Sequence, residues 1–285
     1  MAMLESESLS SANCSNEYNQ LRHVIVCSPK YMRIEEPINE TQKRYLLDNI
    51  NRDLAMNQHE KFVEVLQKNG VEVYMLAPEK RYNEQVFTRD IGFCLGKTLF
   101  IGNMASSIRK GEESVFKNWL DHHGFTYSEI TTGPIEGGDV IVSDKTVWVG
   151  LSERTSQEAV DELKSSLNTH KVIALPLKKG ILHLDCVFNI VSSNTAIIYE
   201  DAFSEDALAL IRKRYKLIEV DGEEQFSMGP NVLSLEPGKM LSLPQNVRMN
   251  EQLRKAGFHV IEVDFSEIIK SGGSFRCCSL PVLRM

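Results

Sequence analysis

The stretch Val140-Ile-Val-Ser143-Asp144-Lys145-Thr146-Val-Trp-Val-Gly150 is two short runs of β-branched and aromatic residues around a polar turn. Such runs suit a pleated, buried surface, and Ser-Asp-Lys supplies the side-chain-stabilised turn between them, so the stretch predicts a β-hairpin. Residues 91–102, 187–199 and 231–244 follow the same pattern around Gly96-Lys97, Ser192-Ser193-Asn194 and Pro237-Gly238-Lys239. The four hairpins start 49, 47 and 44 residues apart. Each is followed by a helical pattern (112–122, 157–167, 205–215, 250–256). Single apolar runs at 172–175, 217–220 and 259–263 are among the strands that close the units. A period of this size marks a repeated supersecondary unit, here ββαβ, that buries a core shared with its neighbours.

Two strands are left over. Residues 274–284 have no hairpin partner, and residues 20–27 have no hairpin before them. Pairing them completes a fifth unit and removes the exposed sheet edges. The expectation is an α/β fold, a five-bladed α/β propeller of ββαβ repeats, with residues 20–285 as one domain and residues 1–19 as a flexible N-terminal tail. The alternative, a doubly wound parallel sheet, is disfavoured because parallel βαβ units lack hairpins.

Composition narrows the function. The chain has 285 residues, 42% of them hydrophobic, which suffices for a sizeable core. Thirty-two basic residues stand against 39 acidic ones, for a net charge of −7. With no basic block to track a phosphate backbone, nucleic acid is not expected as a partner. No apolar run approaches a membrane span and the N-terminus lacks a signal-peptide pattern, so a cytoplasmic location is expected. The six cysteines form no C-x-x-C pair and are expected as reduced thiols.

Unusual polar residues recur at one phase of the repeat. Phe87-Thr-Arg89-Asp90 precedes the first hairpin, Glu136-Gly-Gly-Asp139 the second and His183-Leu-Asp185 the third, while Gly272-Gly-Ser-Phe-Arg276-Cys277 holds the matching place in the last unit. In a closed ring these positions converge on one pocket. Taken singly, each has a plainer reading: Arg89-Asp90 as a local ion pair, Gly137-Gly138 as a turn, His183 as a satisfied buried histidine. His122-His123 reads as a solvated helix end. His183, Asp185 and Cys277 lack the close multi-ligand spacing of a metal site, so no metal is expected. Cys277 and His183 together supply a nucleophile and an acid/base group, and three carboxylates, Asp90, Glu136 and Asp185, imply a cationic target. A guanidinium suits them: it is planar, permanently charged and matched by carboxylates that accept paired hydrogen bonds.

These motifs, with Gly150-Leu-Ser-Glu-Arg154-Thr, resemble those of the guanidine-modifying superfamily, which includes dimethylarginine dimethylaminohydrolases, arginine deiminases and amidinotransferases. The resemblance covers nearly the whole chain after Asn19 and implies the five-bladed propeller (pentein) fold. It further implies Cys277 as nucleophile, His183 as general acid and base, and Asp90, Glu136 and Asp185 around the guanidinium. Arg109 and Arg154 match positions that hold an amino-acid carboxylate; without the resemblance both read as surface ion pairs. A small guanidino substrate, an amino acid, is implied, with no metal or organic cofactor. In length the chain resembles the dimethylarginine hydrolases, while Arg89-Asp90 and Asp185 look closer to the deiminases. Arginine, an N-methylated arginine or another guanidino compound therefore remain as substrates. An amidinotransferase and a noncatalytic arginine-binding propeller are the competing functions.

Overall fold

Positive backbone φ at Gly96 (55°), Asp144 (52°) and Gly238 (81°) closes three hairpins where the sequence placed their turns. The computed structural model describes residues 11–285; residues 1–10 lie outside the described residues. In chain order, β1 (Leu21–Cys27), α1 (Glu40–Tyr45), α2 (Arg52–Lys68) and β2 (Glu72–Leu76) come first. Three ββαβ units follow: β3 (Gly92–Leu95), β4 (Thr98–Ile101), α3 (Glu112–His122) and β5 (Tyr127–Glu129); β6 (Val140–Ser143), β7 (Thr146–Leu151), α4 (Gln157–Ser166) and β8 (Lys171–Pro176); β9 (Phe188–Ser192), β10 (Thr195–Ile198), α5 (Glu205–Arg212) and β11 (Lys216–Glu219). After the short α6 (Gly222–Phe226) comes a fourth, β12 (Leu233–Glu236), β13 (Lys239–Ser242), α7 (Val247–Lys255) and β14 (His259–Glu262), and then β15 (Leu280–Arg284).

These strands make five three-stranded sheets of one topology, an antiparallel hairpin followed by a parallel third strand. The fifth sheet is assembled from both ends of the chain. There β15 pairs antiparallel with β1, setting Val24 opposite Pro281 and Ile25 opposite Leu280, and β2 adds in parallel on the other side. Between sheets, β15 touches β3, β1 touches β12 and β6 touches β9. Phe93, Leu95 and Phe100 share one apolar cluster with Val140, Val147 and Val149, while Val191 and Ile197 share another with Met240.

The helices begin where local chemistry dictates. Ser156 and Ser204 cap α4 and α5 by accepting from the backbone N–H groups of Ala159 and Ala207, and Asn51 caps α2 through Leu54. Helix α2 buries Ala55, His59, Phe62 and Leu66 on one face. Phe62 packs on Phe265 and Phe275 at ring distances of 5.4 and 5.6 Å, and those two stack at 4.7 Å. Phe275 is two residues from Cys277, so α2 buttresses the segment that carries the thiol. Truncating Phe62 to alanine there costs about 3–5 kcal/mol.

One expectation is corrected. Residues 11–19 are not a flexible tail: Ala12, Cys14, Asn16 and Glu17 are buried. The segment hydrogen-bonds in turn to Val282 on the edge strand β15 and to the hairpin-turn residues Gly96 and Asp144, reaching three sheets through backbone groups that the strand ladders leave unpaired. Among the described residues no helix is long and apolar enough to cross a membrane. All six cysteines are free and buried.

Candidate active site

Each first strand of a unit is entered through a tight turn, and the same place in those turns is held by Asp90, Asp139, Asp185, Asn231 and Cys277, the last four 46 residues apart. The turns at Gly137–Asp139 and Leu184–Cys186 are single 3₁₀ turns. Short polar side chains favour such turns, and the repeat brings them together.

Cys277 is buried, and its thiol lies 3.0 Å from Asn231 Nδ2 and 3.7 Å from both carboxylate oxygens of Asp185. Asn231 Oδ1 accepts the backbone N–H groups of Ser274 and Cys277, both at 3.1 Å. Through its amide Asn231 therefore fixes both the turn that presents the thiol and the thiol itself. It was not among the residues singled out from the sequence, although it sits at the repeated phase. Gly273 is required by closeness, since a Cβ there would meet Phe87 at 2.5 Å and the Cys277 Cβ at 2.9 Å.

His183 is 1% exposed, with Nε2 at 2.7 Å from Glu136 Oε2 and Nδ1 at 3.6 Å from Asp90 Oδ1. Burial disfavours the charged ring, but the Asp90 charge and the Glu136 hydrogen bond outweigh it and raise the His183 pKa. Burial works against Glu136 as well; the His183 hydrogen bond and charge, with Arg154 and Arg109, hold its carboxyl below the usual range. Each group thus favours the charged form of the other. Gly138 permits the approach: a Cβ there would lie 2.7 Å from Asp90 Oδ1 and 2.8 Å from His183 Nδ1. Asp139 braces the turn by accepting from the Leu184 N–H and the Ser152 hydroxyl.

The two arginines have different surroundings. Arg109 donates to Asp90 at 2.5 Å, to Glu112 through Nε and Nη2, and to the Phe87 carbonyl. It fixes Asp90. Arg154 donates Nη2 to the Ile38 carbonyl at 2.8 Å, whereas its buried Nη1, 3.6 Å from Glu136, makes no hydrogen bond.

A cavity of about 10 Å³ joins these groups, lined by Asp90, Arg109, Arg154, His183 and Cys277 together with Glu84. The sequence-expected residues are thus gathered, with one rearrangement. Glu136 and Asp185 are fully buried behind the lining, engaged with His183 and with Cys277 and Arg276. The second carboxylate on the cavity is Glu84, which accepts the Ser271 hydroxyl and whose pKa burial pushes up to about 7. Ile38 and Asn39 also line the cavity, and the Asn39 and Gln42 amides are tied to Ser271. Two groups, Asp90 with Glu136 and His183, and His183 with Asp185 and Cys186, bring possible metal-ligand atoms within 4.8 Å of one another. The strongest bond in either is the His183–Glu136 pair, which takes Nε2 away from a metal.

Comparison with known proteins identifies the chain's relatives. Residues 28–284 match the family described as N,N dimethylarginine dimethylhydrolase, eukaryotic. The chain is 47% identical over 271 residues to the uncharacterised protein YkgA of Bacillus subtilis, covering 95% of each. It is 32% identical over 248 residues to the arginine deiminase of Listeria innocua, covering 70% of this chain and 61% of that one. A crystal structure of the N-terminal domain of ArgZ, covalently bound to a reaction intermediate, superposes with a TM-score of 0.85 at 25% identity, covering 92% of this chain and 98% of that domain. ArgZ of Synechocystis is a bifunctional arginine dihydrolase/ornithine cyclodeaminase, of which this chain spans 37%. With its thiol, imidazole and carboxylates gathered on five repeated sheets, the chain belongs to the N,N dimethylarginine dimethylhydrolase family, within the guanidine-modifying superfamily.

Proposed function

We propose that this protein hydrolyses the guanidinium carbon of arginine or an N-methylated arginine through a covalent Cys277 intermediate, on a ring of five blades closed by β1 and β15. The sheet-to-sheet contacts described above support the closed ring. One observation carries the chemistry. Asp90 Oδ1, His183 Nδ1 and Arg154 Nη1 are buried without a hydrogen-bond partner, and their residues line one cavity with Cys277. Unpaired buried polar atoms are costly, and a guanidino amino acid would satisfy all three. Its guanidinium N–H groups meet Asp90, its departing nitrogen meets His183, and its carboxylate meets Arg154.

The Cys277 thiolate attacks the guanidinium carbon to give a tetrahedral adduct. His183 protonates the departing nitrogen, which leaves as ammonia or an amine, and an S-alkylthiouronium remains on Cys277. Neutral His183 then takes a proton from water as the oxygen adds to the same carbon. The C–S bond breaks, releasing the ureido product and the thiolate. The cavity is far too small for an amino acid, so its lining must open for substrate to enter. Incubation with arginine, methylated arginines and agmatine, with detection of released ammonia or amine and of ureido product, tests the reading. Transfer to an added amine without ureido product would instead identify an amidinotransferase.

Because Glu136 raises the His183 pKa, Glu136→Gln is expected to lower it and move the basic limb of the kcat profile to lower pH. The acid form of His183 is lost as pH rises through its pKa, so activity above neutrality falls first. An unmoved basic limb would show that Glu136 does not set the proton on His183.

Arg154→Ala is expected to raise KM for arginine roughly ten- to a hundredfold while affecting agmatine, which lacks the carboxylate, far less. Arg109→Ala should lower kcat for both, because it releases Asp90. Equal losses on both substrates for Arg154→Ala would show that this arginine serves only to hold Ile38.

A further inference from the structure

Arg89 and Arg276 each precede a cavity residue, Asp90 and Cys277, and both turn to the rear of the site, toward one carboxylate from the far end of the chain. Glu17 Oε2 lies 2.6 Å from Arg276 Nη1 and 3.9 Å from Arg89 Nη2, and Oε1 accepts the Val142 N–H at 3.1 Å. Arg276 in turn places Nε 3.4 Å from Asp185 Oδ2, and both Asp185 oxygens face the Cys277 thiol at 3.7 Å. The Arg89 N–H donates to the Cys277 carbonyl at 3.0 Å. All five side chains are at most 5% exposed. The path from Glu17 to the nucleophile is therefore Glu17, Arg276, Asp185, thiol, and of these only Cys277 lines the cavity.

We propose that Glu17 is a positioning residue for the Cys277 thiol, its carboxylate holding Arg276 and Arg89 so that Asp185 stays against the sulfur. Buried guanidiniums need a counter-ion, and Arg89 Nε and Nη2 and Arg276 Nε have no hydrogen-bond partner, so Glu17 is the group that divides Arg276 between two carboxylates. Despite burial, Arg276 and Arg89 hold the Glu17 pKa down to about 2, so it is ionised throughout the working range. Without that charge Arg276 would close fully onto Asp185 and draw it from the thiol. The uncompensated cations would meanwhile favour thiolate.

Asp185 and Cys186 face the thiol from the turn after His183, and Arg276 and Cys278 from its own segment. Across the cavity stand Glu84, Asp90, Arg109, Arg154 and His183. None of these is altered in the test, which rests on the reading of Cys277 as nucleophile. The rate of iodoacetamide alkylation at Cys277, located by peptide mass spectrometry, is measured against pH in the full chain beside kcat and KM.

Glu17→Gln keeps the shape and removes the charge. The expected result is an alkylation inflection shifted to lower pH by about half a unit or more, with kcat down roughly tenfold and KM within about twofold. Glu17→Asp should return the inflection most of the way. An inflection identical to wild type in Glu17→Gln, or a kcat loss that follows only the folded fraction, would overturn the proposal. So would failure of both variants to fold, since the role would then be structural. Alkylation needs no turnover, so a wild-type protein inactive on every guanidino compound would reject the functional reading and leave this one to be judged by the thiol.

Discussion

Cys277→Ser is expected to reduce turnover by roughly a thousandfold or more while leaving the protein folded. A serine hydroxyl is far less readily ionised than a thiol, and the guanidinium carbon is a poor electrophile that needs a strong nucleophile. The hydroxyl still fits the space and can still receive the Asn231 amide, so the fold has no reason to suffer. The adjacent thiol makes the control. Cys278 has no solvent exposure and packs in the apolar cluster that contains Phe87 and Phe275. Burial and the Cys277 and Asp90 charges raise its pKa well above the ordinary thiol value, which keeps it neutral, and unlike Cys277 it does not line the cavity. Cys278→Ser should keep substantial activity at a modest cost in stability. Acid-quenched reactions analysed by mass spectrometry should carry the amidino adduct on Cys277. An adduct on Cys278, or normal turnover by Cys277→Ser, would overturn the assignment.

What the sequence revealed and what it concealed follow from the range of the interactions. Hairpins and their turns are local, and all four stand where Gly96, Asp144, Asn194 and Gly238 indicate. The unpaired strand at each end foretold the pairing of β1 with β15. Helix α2 and strand β2 escaped because they precede the first hairpin, although Ala55, Phe62 and Leu66 already have helical spacing. The stretch Ser-Asn-Glu before Tyr18 is polar enough to read as a tail; only the fold shows Arg276, 259 positions away, as the partner of Glu17. Asn231 was hidden by its residue type, since asparagine before a strand reads as turn chemistry. Its 46-residue offset from Asp185 and Cys277 was the available signal. Arg109 was legible as a site residue but its engagement with Asp90 was not, because the carboxylate nearest to it in sequence is Glu112, three positions on.

Asp90→Asn is expected to lower kcat/KM for a guanidino substrate by roughly a hundred- to ten-thousandfold, the range that follows from breaking one side of a buried charge cluster. Three consequences act together. The carboxylate facing the guanidinium becomes neutral, and an amide can present a donor where the substrate also presents donors. Arg109 loses its 2.5 Å partner, though Glu112 still holds it through two of its nitrogens, so the guanidinium keeps a counter-ion and folding should survive. His183 loses the charge that, against burial, contributes most to raising its pKa, and so yields its proton at lower pH. The first effect weakens binding at every pH, whereas the third moves the basic limb of kcat downward. A pH profile of kcat and KM therefore separates them. The combination expected is a raised KM across the profile with a basic limb displaced in the same direction as in Glu136→Gln. A loss of less than tenfold, or an unmoved limb, would mean that Asp90 neither grips the guanidinium nor holds the proton on His183. The acid would then have to be sought elsewhere on the cavity wall, where Glu84, with its pKa near 7, is the remaining group able to carry a proton at neutral pH.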